Sequence, residues 1–236
     1  MIRDARHWLW TPVVHRYVKW RLARSFRALW LDGPALPRTD EPLILYANHT
    51  NFWDGFIVHS LVWAAGRDGY VVMEEQNLAR FRFLTRLGAI SVRRGDRTSS
   101  LETLRYCAGV LKRPRASLLV FPQGRIVSAA EPLAFERGLA VLARMAKVRL
   151  VPIALRYAFF EHEYPDILVA AGEPHELVSL EDCRARLASS LARLSEVREP
   201  FALQRQLGGR RSVAEPSLPP HPGPLPYEGR GSLESS

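Results

Sequence analysis

Residues 43–65 read LILYANHTNFWDGFIVHSLVWAA. The apolar run from Leu43 to Ala47 has the length of a buried strand, Asn48 to Asn51 are turn formers, and residues 52–65 stay apolar over a length that suits a helix. A strand that passes through a turn into a helix is the repeating unit of an α/β sheet, and the unit recurs outward from here. Residues 70–73, 89–92, 118–121, 150–155 and 167–170 read as strands, and 78–87, 99–112, 137–147 and 179–197 as helices. Ser99 with Glu102, and Ser179 with Asp182, have the capping spacing that opens the second and fourth of those helices. The expected fold class is α/β: a single domain with a mixed, largely parallel sheet flanked by helices, whose ligands gather beyond the carboxyl ends of the strands.

The 236 residues allow one substantial core, and 47% hydrophobic with 24% charged residues is the composition of a folded protein rather than a disordered or polytopic one. No apolar run reaches the roughly 18 uncharged residues that span a bilayer, and the start lacks a signal-peptide core, so the expected location is the cytoplasm or the cytoplasmic face of the cell membrane. A net charge of +9 favours anionic partners: phospholipid head groups, nucleic acid or phosphorylated substrates. Lysine occurs only at Lys19, Lys112 and Lys147, so arginine carries the charge, through suitability for phosphate or through codon usage. Helix-turn-helix, zinc-ligand and RNP-like signals are absent, which argues against nucleic acid, and without P-loop or dinucleotide fingerprints neither ATP nor NAD is implied. Cys107 and Cys183 form no C-x-x-C pair and read as small buried hydrophobes.

The first thirty residues interleave Trp8, Trp10, Trp20, Trp30, Tyr17 and Phe26 with seven basic residues. Thr11 and Pro12 look like an N-cap and first-turn proline, followed by one apolar stripe of Trp10, Val13, Val14 and Tyr17 and a second of Leu22, Phe26, Leu29 and Trp30. Residues 1–30 are therefore expected to form amphipathic helices, either touching an anionic membrane or packing on the domain itself. Residues 31–207 are the expected catalytic domain, and 208–236, rich in Gly and Pro, a disordered tail.

The chemistry concentrates in Asn48 to Asp54, where His49 leaves a strand and Asp54 follows five residues later. On one continuous helix the two side chains would point about 140° apart, so they meet only if His49 lies in the turn and Asp54 in the first helical turn, with Asn51 as N-cap. The carboxylate then fixes one imidazole N–H and leaves the other ring nitrogen as a general base. Asp54 also has a plain explanation, because a first-turn carboxylate stabilises its helix by about 0.3–1 kcal/mol without any catalytic role. His7, His15, His59, His162 and His175 read as structural or interfacial. Two further strand exits carry glycine and arginine: Gly88 to Arg94 (GAISVRR), and Phe121, Pro122, Gln123, Gly124 and Arg125. Each can be an anion grip or merely a solvated loop charge.

In this order, with Val151 and Pro152 on a later strand, the sequence resembles the glycerolipid acyltransferase family typified by lysophosphatidate acyltransferases, over residues 33–172. His49 and Asp54 match its N-H-x-x-x-x-D block, Gly88 and Arg94 its G-x-x-x-x-x-R block, and Phe121 to Gly124 its F-P-E-G block with Arg125 following. The resemblance implies a glycerol-3-phosphate acyltransferase-like fold, with His49 as base for the acceptor hydroxyl and Asp54 as its partner. Arg94 and the 121–125 loop are then the acceptor-phosphate site. It further implies no metal or cofactor, acyl-CoA or acyl-carrier protein as co-substrate, membrane lipids as partners, and no particular oligomeric state. Gln123 stands where the family has glutamate and Ser91 where it often has an aromatic or aliphatic residue, so a glycosylated or aminoacyl lipid acceptor is a second reading. A non-catalytic binder of anionic membranes is a third. Attack by the lipid hydroxyl itself accounts for the lack of a G-x-S-x-G elbow.

Overall fold

The computed structural model describes residues 1–5, 10–93 and 95–210. Among them an eight-stranded sheet runs in the order β4-β3-β5-β2-β6-β7-β1-β8. Its strands are β1 (Ala28–Asp32), β2 (Leu43–Ala47), β3 (Asp68–Glu74), β4 (Ala89–Val92), β5 (Ala116–Val120), β6 (Arg149–Ala158), β7 (Asp166–Ala171) and β8 (Gln204–Gly208). From β4 to β6 all neighbours are parallel, β7 turns antiparallel to β6, β1 follows β7 in parallel, and β8 closes antiparallel on β1.

Strand β2 sits among the parallel set, which is why its five residues are all buried and apolar. Successive side chains alternate between two cores. Leu43, Leu45 and Ala47 meet α1 (Trp10–Ser25) and α2 (Asp54–Ala64), together with Leu119, Ile153 and Leu155. Ile44 and Tyr46 point to the other layer, formed by α4 (Arg97–Val110), α5 (Gly138–Ala146) and α6 (Leu180–Glu196). The result is helices on both faces of one mixed, mostly parallel sheet, as expected from the alternation of elements. Shorter α3 (Glu75–Arg80) and a 3-10 turn over Arg82–Leu87 divide the segment that reads as one helix, because the chain must reverse into β4 within a few residues.

The N-terminal segment departs from expectation. Among the described residues this segment holds one helix, and Leu29 and Trp30 lie in β1 instead of continuing a helical stripe, so a boundary at residue 30 falls inside a strand of the sheet. A tertiary partner overrides the local periodicity: Asp166 at the start of β7 accepts from Arg27 Nε at 2.9 Å and Trp30 Nε1 at 2.7 Å, all three groups buried. Strand β8 docks on the outer side of β1 and takes in Gly208, the first residue of the expected tail; Gly209 N and Arg210 N then donate to the carbonyls of Arg27 and Phe26, and residues 211–236 lie outside the described residues, as do His7 and Trp8. Thr11 lies within the described span of α1, Trp10–Ser25, and is buried. Asn51 is not the cap of α2 either; α2 starts at Asp54 itself. Helix α4 is capped by Asp96, which accepts from Ser99 N, whereas Ser179 caps α6 as its spacing predicts.

Helix α1 turns one stripe to the domain and leaves an apolar one exposed. Thr11, His15, Val18 and Leu22 are buried, while Trp10, Val13, Tyr17 and Trp20 are 46, 56, 50 and 51% exposed, on the opposite stripe. His15 stacks on Trp63 of α2 with ring centroids 4.7 Å apart, and its Nδ1 has no hydrogen-bond partner among the described residues. Burial, with a smaller contribution from Lys19, pushes His15 down from 6.5 to about 4. A histidine whose folded pKa is depressed stays neutral when the unfolded chain already binds a proton. Its stabilisation is therefore complete above pH 6.5 and is lost as pH falls from there towards 4, a difference on the order of 3 kcal/mol at the lower end. His15→Phe keeps the aromatic contact and removes the proton site. Urea melts at pH 7 and pH 4.5 are expected to show a smaller acid destabilisation for that variant than for the wild type; equal losses would assign the acid sensitivity elsewhere.

Candidate active site

The carboxyl end of β2 is stitched to β6 before the chain turns. Asn48 exchanges two hydrogen bonds with the main chain of Leu155, Nδ2 to its oxygen at 2.9 Å and its N to Oδ1 at 2.8 Å. This amide continues the strand pairing with a side chain, so the next residue leaves the sheet from a fixed point. His49 is that residue. Its main-chain N–H donates to Gln123 Oε1 at 2.8 Å, its carbonyl accepts from Val127 N at 2.9 Å, and its ring stacks on Phe121 at 3.9 Å with planes 14° apart. Phe121, Pro122, Gln123, Gly124 and Arg125 follow the adjacent strand β5, so the exits of β2 and β5 form one rim.

Asp54 reaches back across the turn to this histidine. His49 Nδ1 lies 2.9 Å from Asp54 Oδ2, and the same oxygen accepts from Thr50 N at 2.7 Å and Asn51 N at 2.8 Å. Asn51 Oδ1 accepts from Trp53 N at 3.1 Å, so it shapes the turn instead of capping the helix. A carboxylate can only accept, so Nδ1 carries the ring proton and Nε2 presents its lone pair. Asp54 is fully buried while the His49 side chain retains 20% exposure, which leaves the imidazole accessible from the rim and the carboxylate sealed behind it. The first-turn position of Asp54 also places it at the positive end of α2. The other carboxylate oxygen, Oδ1, accepts from the Tyr157 hydroxyl at 2.5 Å.

The remaining expected site residues divide. Gln123 is buried and turned towards the His49 main chain, so its replacement of glutamate bears first on how His49 is held and offers no argument for an unusual acceptor. Gly124 has φ +70°, the conformation that lets the loop turn under the ring. Arg125 is exposed and pairs with Glu131 at 3.1 Å. Gly88, expected at the substrate, precedes β4 and so lies at the amino end of the sheet, opposite His49. Its left-handed φ of +92° and the 2.3 Å separation a Cβ would have from the Gly69 carbonyl explain the glycine by packing alone. Arg94 lies outside the described residues. Its neighbour Arg93 donates to Glu75 Oε1 at 2.7 Å, beyond the carboxyl end of β4, about 14 Å from β2 by three strand spacings. Tyr157 carries no sequence signal of its own; only its place at the end of a strand parallel to β2 could have pointed to it.

The Acyltransferase family model matches residues 31–156, more than half of the chain, and takes in both the His49–Asp54 turn and the 121–125 loop. The chain belongs to the acyltransferase family. Among curated relatives, a 1-acyl-sn-glycerol-3-phosphate acyltransferase of Streptococcus pneumoniae (strain ATCC BAA-255 / R6) is 30% identical over 122 residues, 50% of this chain and 43% of that protein. One of the same description from Chlamydomonas reinhardtii is 31% identical over 124 residues, 51% of this chain and 36% of that protein. The matched stretch thus spans less than half the length of either relative. The crystal structure of the 1-acyl-sn-glycerophosphate (LPA) acyltransferase PlsC from Thermotoga maritima superposes with a TM-score of 0.58, covering 79% of this acyltransferase-family chain and 78% of that one. At 18% identity the likeness is one of fold.

Proposed function

We propose that the chain is an O-acyltransferase that moves a fatty acyl group from a thioester, acyl-CoA or acyl-carrier protein, to the hydroxyl of a lysophospholipid such as 1-acylglycerol 3-phosphate. The observation that carries this reading is the His49 Nδ1 to Asp54 Oδ2 contact at 2.9 Å, which leaves Nε2 basic on the rim of the sheet. The acceptor hydroxyl attacks the thioester carbonyl as Nε2 takes its proton. The tetrahedral adduct then collapses with cleavage of the C–S bond, and the imidazolium returns the proton to the departing sulfur. No acyl-enzyme forms, and no serine or cysteine nucleophile is called for. Arg125 exchanges Glu131 for the acceptor phosphate, a stronger partner for a guanidinium. The names of the relatives support a phosphate-bearing acceptor.

The same reading places the protein peripherally on the cytoplasmic face of a membrane. No helix among the described residues is long and apolar enough to cross one. Exposed Trp10, Tyr17 and Trp20 on α1, with Arg24 over the Trp20 ring and Arg86 over Trp10, combine apolar reach with positive charge, as do exposed Phe81 and Phe83. The test is direct. Purified protein receives labelled acyl-CoA or acyl-carrier protein and 1-acylglycerol 3-phosphate in anionic vesicles. Labelled diacyl phosphate product is expected, falling as salt releases the protein from the vesicles. Equal transfer to an acceptor lacking phosphate, or none to any lipid, overturns the reading.

A further inference from the structure

Among the described residues, three groups donate to one oxygen of Asp54, and one group donates to the other. We propose that Tyr157 is a positioning residue for the His49–Asp54 pair, drawing charge from the carboxylate and so holding the imidazole at lower basicity than an unshared aspartate would. The proposal rests on the acyl-transfer reading for its catalytic meaning but concerns a separate contact.

The geometry points to an electronic role rather than a merely mechanical one. Oδ2 is pinned by Thr50 N at 2.7 Å and Asn51 N at 2.8 Å, as well as by the imidazole, so the carboxylate keeps its orientation when Oδ1 loses its partner. The Tyr157 ring is held independently, 5.7 Å from the Phe26 ring, at the carboxyl end of β6. At 2.5 Å the O–H to Oδ1 bond is in the range of charge-assisted hydrogen bonds. The hydroxyl is the donor: burial first, and then the Asp54 charge, push its ionisation far upward. A donor that shares the negative charge of Oδ1 leaves less of it to stabilise an imidazolium at Oδ2. Of the charged groups on the surrounding elements, Arg21 of α1 lies over the Trp53 ring, and Arg125 and Glu131 pair with each other. Arg156 of β6 is turned away to the carbonyl of Leu194. All four are unchanged when only the hydroxyl is removed, so their influence cancels in a comparison.

The decisive experiment is an NMR titration of the His49 ring in the wild type and in Tyr157→Phe, each read against His49→Gln to assign the signal. Tyr157→Phe keeps the ring that packs on Phe26 and deletes one oxygen. The midpoint for His49 is expected to move up by about half a pH unit or more, and to be indifferent to Tyr157→Phe when Asp54 is already asparagine. An unchanged or lowered midpoint overturns the proposal, because a purely structural tyrosine would not raise it. Where transfer is measurable, the acid limb of the kcat/KM profile follows the same direction, with the acceptor KM little altered. A raised midpoint in a chain that transfers no acyl group would keep this inference and discard the proposed reaction; the reverse result would do the opposite.

Discussion

Replacing His49 with alanine is expected to slow acyl transfer by about 10²- to 10⁴-fold, the range for loss of a positioned general base. The fold is expected to survive. The imidazole is the partly exposed member of the pair, and without it Asp54 Oδ2 still accepts from Thr50 N and Asn51 N, and Oδ1 from Tyr157, so no buried charge is left bare. The main-chain bonds of His49 to Gln123 and Val127 need no side chain. What is lost is the stack on Phe121, worth roughly 1 kcal/mol, and the Nδ1 bond to an Asp54 oxygen that keeps two other donors. Single-turnover transfer, circular dichroism and vesicle sedimentation on the same preparation separate the outcomes. A variant that is folded, binds vesicles and turns over like the wild type would remove His49 from the mechanism.

Asp54 is expected to answer differently according to the substitution. Asp54→Asn can keep its oxygen at the Oδ2 position, facing the three donors, and turn its NH₂ to the Tyr157 oxygen, which can accept. Geometry is then largely preserved while the charge that stabilises the imidazolium is gone, and transfer is expected to fall by about 10³- to 10⁴-fold. Asp54→Ala removes the acceptor outright, leaving two main-chain N–H groups and a tyrosine hydroxyl unpaired in a buried site. Each unmet group costs about 1–3 kcal/mol, so this variant is expected to lose much of its stability as well. Chemical denaturation alongside kinetics distinguishes the two. If Asp54→Ala were as stable as the wild type, the network drawn around the carboxylate would not be contributing what its geometry implies.

These contrasts also mark where sequence reasoning reached its limit. His49 and Asp54 could be paired on paper because a turn is the only local geometry that brings residues five apart together at the start of a helix. The alternation of apolar runs and capping residues likewise carried β2 to β7 and α6. It failed for residues 28–32 and 204–208, whose strand character depends on each other and on β7 rather than on their own pattern. Gly88 looked like part of an anion site because glycine and arginine share a motif with it. The spacing said nothing about which end of a strand each would occupy. The family resemblance puts Gln123 in the acceptor site, but its partner is a main-chain N–H 74 positions away.

The sequence by itself determined what is local: a buried strand delivering a histidine into a turn, a carboxylate in the first turn of the helix that follows, and a helix rich in aromatic residues near the N-terminus. These follow from side-chain periodicity and turn chemistry within a few residues. Only the tertiary structure decided that β5 lies beside β2 and brings Phe121 and Gln123 against the imidazole, and that β6 supplies Tyr157 to the far side of the carboxylate. Those contacts join residues 72 to 103 positions apart, through the order and direction of strands, which is set by burial of the whole sheet and by no short stretch of chain.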